Sequence, residues 1–188
     1  HYDIIECVDI DSLWKSNYSG FGIVNEINQT ENVYGEDNNY TSYYEGYFYV
    51  SNPGTWYFAI DSDGSSEIEI DEQVVVGWYG EHLPSKDWSH NGSIYLDTGW
   101  HRFIFRYVRG NGDKNTIATK VAFKDPDDAE WRVFSTKEIN IKAFPFRDGI
   151  LLITKKNNWY SQLKNHDELT ACVDRDSTAE SNYSGFGI

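Results

Sequence analysis

Asp61 and Asp63, two residues apart in the stretch DSDG (61–64), are the side chains of this sequence best disposed to do chemistry. On a tight turn, that spacing points two carboxylates at one hard cation. Calcium suits such a place better than zinc, because the neighbourhood offers carboxylate, hydroxyl and carbonyl oxygens and neither a thiolate nor paired imidazoles. The EF-hand pattern does not fit, since registering Gly64 as its sixth residue puts Ala59 first and Ile70 twelfth. A plain Asp/Ser/Gly turn between two strands is the alternative. Catalysis is not expected. His82, His90, His101 and His166 are scattered without metal-ligand spacing, and neither GxSxG nor HExxH occurs.

The elements that must position these residues read as strands. YYEGYFYV (43–50) alternates, with Tyr44, Phe48 and Val50 on one face. NPG (52–54) makes a turn, and TWYFAID follows with Trp56, Phe58 and Ile60 alternating. After DSDGSS, EIEID turns Ile68 and Ile70 inward, and QVVVGWY is a more apolar strand. The long polar loop GEHLPSKDWSHNG (80–92) leads to SIYLD and then WHRFIFRYVR, where Phe103, Phe105 and Tyr107 share a face. Many short strands at regular spacing predict an all-β fold, an antiparallel β-sandwich over residues 40–135. Trp56, Phe58, Ile60, Ile68, Ile70, Phe103 and Phe105 are its expected core. Residues 1–39 read as a polar lead-in, and 136–171 as a less regular C-terminal extension packed on the sandwich, with strands in INIKAFPF and ILLITKK and a helical turn or two before Leu169.

Composition narrows the partners. Thirty acids against 16 bases leave a formal charge of −14, which argues against nucleic acid and against an anionic membrane surface. The longest apolar runs, such as Trp56–Ile60, fall far short of a membrane span.

Several motifs in the same order resemble the PA-14 (protective-antigen-type) domain. They are YYEGYFYV, GTWYFAIDSDGSSEIEIDEQVVVGWYGEH and GWHRFIFRYV, together covering about residues 40–135. The resemblance implies a jelly-roll β-sandwich. It also implies, for the lectin branch, sugar binding through a calcium ion held by two successive Asp residues. By position, the first of that pair is Asp63 and the second is Gly64, a departure for which Asp61 and the Gly64 carbonyl would compensate. Further oxygens are expected from a facing loop, with Asn111 and Asp113 of GNGDKN (110–115) the local candidates. Aromatic faces would cover the sugar's C–H patch: Trp78, Tyr79 and above all Trp88, beside or within the 80–92 loop. His82, which lines up with the WYGGHG of similar sequences, would bond a hydroxyl or brace the loop.

CVDIDSLWKSNYSGFGI (7–23) returns as CVDRDSTAESNYSGFGI (172–188), with 13 of 17 positions identical at an offset of 165 residues. A period this long predicts a whole domain recurring in a larger protein, with 172–188 opening the next copy. Cys7 and Cys172 occupy equivalent places, either paired with each other or committed to partners elsewhere. The function expected is a calcium-dependent carbohydrate-binding module of a bacterial cell-surface adhesin, extracellular, attaching to surface glycans or polysaccharide and flanked by neighbouring repeats. The alternative is a ligand-free structural spacer or protein-interaction domain in the same kind of protein.

Overall fold

A computed structural model describes residues 18–110, 119–143, 147–156 and 163–173. Within them the strands are β1 (Tyr18–Val24), β2 (Asn28–Gln29), β3 (Tyr40–Val50), β4 (Gly54–Ser62), β5 (Ser65–Ile70), β6 (Gln73–Trp78), β7 (His90–Leu96), β8 (Gly99–Arg109), β9 (Thr119–Lys124), β10 (Arg132–Val133), β11 (Ile141–Ala143), β12 (Arg147–Asp148) and β13 (Ile150–Lys156). One helix, α1 (His166–Val173), follows. Two antiparallel sheets face each other. The larger runs β1-β13-β3-β8-β5-β6, with β11 and β12 alongside; the smaller runs β10-β9-β4-β7, with β2 on β9.

The alternation of the sequence becomes the core. β3 and β8 pair from Tyr40↔Arg109 to Val50↔Gly99, which places Tyr44 opposite Phe105 on the inner face, while Phe58 of β4 pairs with Phe123 of β9. All seven expected core residues are buried. Phe134 sits at the centre, in ring contact with Phe48, Phe58, Phe103 and Phe123, the Phe103 ring stacked at 4.2 Å. Such ring pairs add specific geometry to the large apolar area that each ring buries.

The sandwich runs beyond residues 40–135. ILLITKK, expected as a strand of the extension, is β13, inserted between β1 and β3 as a member of the larger sheet, so Leu152 meets Gly22 on one side and Tyr44 on the other. Its alternation explains this: Ile150 and Leu152 are buried in the main core, while Ile153 joins a second apolar cluster. That second cluster lies on the outer face of the larger sheet, where Tyr43, Ile104, Val108 and Ile153 meet Leu163 and Leu169. The helix therefore covers a face that would otherwise expose apolar side chains. It also covers charge. Arg106 donates to Glu67 at 2.9 Å and to Glu69 at 2.8 Å, and the His166 ring reaches Glu67 at 2.8 Å. Burying Arg106 and Glu67 is tolerable because each charge is compensated and hydrogen-bonded.

Of the repeated block, residues 18–23 form most of β1; Cys172 and Val173 end α1, and Cys7 and the rest of the second copy lie outside the described residues.

Candidate functional site

The register gathers many loops at one end of the sandwich. β3 starts there at Tyr40, opposite the end of β8 at Arg109. β4 ends there at Ser62 opposite Thr119, and β6 ends at Trp78 opposite Ser66. The 30–39 loop, the 62–65 turn and the 79–89 loop therefore share one end, and both sequence-singled carboxylates lie on it.

Asp63 is held by two donors of β8. Its Oδ1 accepts from the Tyr107 hydroxyl and its Oδ2 from Nη1 of Arg109, and the Arg109 and Asp63 side chains are 1% and 4% exposed. Burial holds the Tyr107 hydroxyl well above its usual pKa, with Tyr40 and the Asp63 charge adding to the effect, so it stays a donor. Tyr40, packed edge-on to Tyr107 at 5.7 Å, is pushed up by burial to about 12. Gly64 is required here. A Cβ built on it would run into the Val108 carbonyl oxygen, which is backbone and has no room to retreat. This is the physical reason for the departure noted at this position: a second Asp has no space. The Gly64 carbonyl accepts from Ser62 Oγ at 3.1 Å, and Ser62 Oγ lies 2.7 Å from Ser66 Oγ.

Asp61 does a different job. It is buried, and its Oδ1 accepts from the Lys86 amide at 3.0 Å and from the Ser85 hydroxyl at 3.4 Å. It clips the 79–89 loop to the end of β4. That loop carries two non-glycine residues at positive φ, Lys86 at 62° and Trp88 at 58°, conformations that persist only when surroundings impose them.

The aromatic candidates are spread over different tasks. Trp78 lies flat between His82 and His90, at ring distances of 3.6 and 3.5 Å, so both faces that a sugar would need carry an imidazole. Burial lowers the pKa of His82, which favours the neutral ring. Tyr79 turns toward the outer face of the larger sheet and donates to Glu67 Oε2 at 2.8 Å. Trp88 is partly exposed at the loop end, its carbonyl accepting from Asn91 at 2.9 Å. Asn111 and Asp113 lie outside the described residues.

As the side chains stand, the described residues do not fit a calcium ion at Asp63. Its oxygens and the Gly64 carbonyl face N–H and O–H donors, whereas a calcium shell takes six to eight acceptor oxygens. Among the described residues, no group of three or more His, Cys, Asp or Glu side chains is placed to hold a metal.

A pocket that the sequence reading passed over as lead-in lies at the same end. It encloses about 230 Å³ and is lined by Asn32, Tyr34, Glu36, Asn38, Asn39 and Tyr40. Asn32 folds the loop on itself: its amide donates to Asp37 at 2.9 Å, its Nδ2 to the Glu36 carbonyl at 2.9 Å, and its Oδ1 accepts from the Tyr34 amide at 3.2 Å. The Asn39 amide ties the loop to the Gly110 carbonyl at 3.2 Å. Asn38 Oδ1 is buried without a hydrogen-bond partner, an acceptor that a ligand donor would satisfy. The signal for such a loop was the Asn-rich run itself, since Asn side chains fold turns by bonding nearby backbone.

Solved structures match about two thirds of this chain. The PA14 domain of the antifreeze protein MpAFP matches over 66% of this chain and 70% of that chain, at 15% identity and a TM-score of 0.49. An anti-sigma factor domain-containing protein from Clostridium clariflavum matches over 66% and 42%, at 17% identity and a TM-score of 0.51. The PA14 sugar-binding domain from an RTX adhesin matches over 64% and 73%, at 15% identity and a TM-score of 0.44. This chain is similar in structure to PA14 domains. At these identities the likeness is one of fold alone. No protein-family model matches the chain. No curated protein matches it either.

Proposed function

We propose that this PA14-like sandwich is a carbohydrate-binding module of a larger extracellular protein, a bacterial surface adhesin in our reading, and that it takes a neutral sugar at its loop end. The observation that carries the proposal is the chemistry of the Asn-rich pocket. Carboxamides from Asn38 and Asn39 offer donors and acceptors together, Glu36 adds an acceptor, and Tyr34 adds apolar ring surface, while Asn32 and Tyr40 form the buried wall behind them. A polyhydroxylated ring needs that mixture: paired donors and acceptors for hydroxyls and a ring face for its C–H patch. The chain's charge of −14 disfavours phosphate or sulfate esters as ligands. Trp88, partly exposed on the neighbouring loop, is the candidate for a second contact. The calcium-dependent form of this reading would require Asp61 and Asp63 to exchange their protein partners for the ion, with Asn111 and Asp113 contributing; the pocket itself needs no ion.

The test is a glycan array on the 188-residue chain, followed by titration of the best neutral sugar. Asn38→Ala should weaken binding at least about tenfold, the worth of one well-placed buried hydrogen bond. Equal affinity in wild type and Asn38→Ala would remove the pocket from the site. A second reading, a ligand-free spacer within a repetitive surface protein, is favoured by Trp78, whose two faces are already covered. Failure to bind any glycan on the array would select it.

A further inference from the structure

The resemblance to calcium-dependent lectins leads one to look for a cation at the 61–65 turn, and the structure already contains one. We propose that the Arg109 guanidinium is a built-in cation for Asp63, so that this turn takes its shape without calcium and braces the pocket next to it. The inference stands whether or not the pocket binds sugar.

Three observations converge. First, among the described residues, Asp63 is met by donors: the Arg109 guanidinium and the Tyr107 phenol on its carboxylate, and the Ser62 hydroxyl on the next carbonyl. A cation site is built from acceptors, so the polarity of this cradle is inverted. Second, opposite charges meet here. Arg109 and Asp63 are both almost fully buried and oppositely charged, and a divalent ion placed between them would be repelled by the guanidinium. Third, the space for a second carboxylate is filled by the Val108 carbonyl, which excludes any side chain at position 64. Loss of one Asp and gain of an internal Arg are thus two halves of one replacement.

The pair also reaches the pocket. Arg109 is the β8 partner of Tyr40, a pocket wall, and Tyr107 links the Tyr40 ring to Asp63. Asn39, another lining residue, bonds the carbonyl of Gly110, the next residue after Arg109. The ion pair therefore fixes the wall that a metal would otherwise have had to fix.

The experiment uses the 188-residue chain, with calcium alone as the probe. Wild type is melted in about 5 mM calcium and in chelator; a bound ion would raise the melting temperature by roughly 2 °C or more. No difference is expected. Asp63→Asn should lower the melting temperature by roughly 10 °C, equally in both media, because it removes a carboxylate charge from beside the buried Arg109 guanidinium. A calcium-dependent rise in wild type that Asp63→Asn abolishes overturns the proposal. A rise that Asp63→Asn retains supports it, since the ion then sits away from this turn. If Asp63→Asn does not fold, calcium titration of labelled wild type followed by amide NMR decides. Saturable shifts at the Asp63 and Gly64 amides overturn the proposal, and their absence supports it.

Discussion

Replacing Asp61 with alanine should free the 79–89 loop while leaving the sandwich folded. The variant removes the acceptor of the Lys86 amide at 3.0 Å and of the Ser85 hydroxyl at 3.4 Å. A hydrogen bond to an ionised group contributes about 1.5–3 kcal/mol, and the longer contact adds little. The loop that this clip restrains stores strain, with Lys86 at 62° and Trp88 at 58°, each costing on the order of 1 kcal/mol. Once released, the loop gains by relaxing, so the whole clip energy appears as easier local opening. A fall of about 1.5–3 kcal/mol corresponds to exchange of the Lys86 amide roughly 10- to 150-fold faster. Hydrogen exchange read by NMR or mass spectrometry measures it, with amides of β3 and β8 as internal controls that should not change. Asp61→Asn, which keeps a neutral acceptor, should fall about midway, since charge-assisted bonds are roughly twice as strong as neutral ones. Lys86 exchange within about twofold of wild type in Asp61→Ala would refute the reasoning, because that amide would then have no stake in the carboxylate.

Two further outcomes follow from the packing. Burial lowers the pKa of His82 from 6.5, so the unfolded chain binds its proton first. Its contribution to stability is fully present above about pH 6.5 and is lost as pH falls from there toward the depressed folded value. Urea titrations between pH 7.5 and 5 should show that decline, and His82→Phe, which keeps a ring on Trp78 and removes the titration, should flatten it. Phe134→Ala should cost about 3–5 kcal/mol in chemical denaturation, because the ring it deletes fills the centre of the core. A loss under about 1 kcal/mol would show that its four ring contacts are slack.

The strands were legible because they alternate. Tyr44, Phe48 and Val50, or Phe103, Phe105 and Tyr107, announce one face each, and the structure buries those faces. β13 was visible as a strand but not as a member of the sheet, since nothing local in ILLITKK says which edge receives it. The site was less legible, because its decisive contacts are distant in the chain. Asp63 meets Arg109 across 46 residues, and Glu67 meets His166 across 99. Residue type singled out Asp61 and Asp63, which the strand register places at the loop end. Their partners, a loop amide and a guanidinium, came from other elements. Trp78 shows the same limit: the two imidazoles on its faces come from a loop and from the next strand, positions that only folding brings together.

The pairing of β1 with β13 has a mechanical side. Tyr18, where β1 begins, lies opposite Lys155, at the end of β13, and the ladder runs from there to Val24↔Ile150. Once the α1 segment, packed through Leu163 and Leu169, had come away, a pull at residue 18 against residue 155 would act on neighbouring points of this ladder. It would load the ladder bond by bond, as a zip is opened, instead of shearing all the bonds together. Tension on such an arrangement detaches β1 at low force and leaves β3, β8 and the smaller sheet in register, so the unit would lengthen under load before its core gives way.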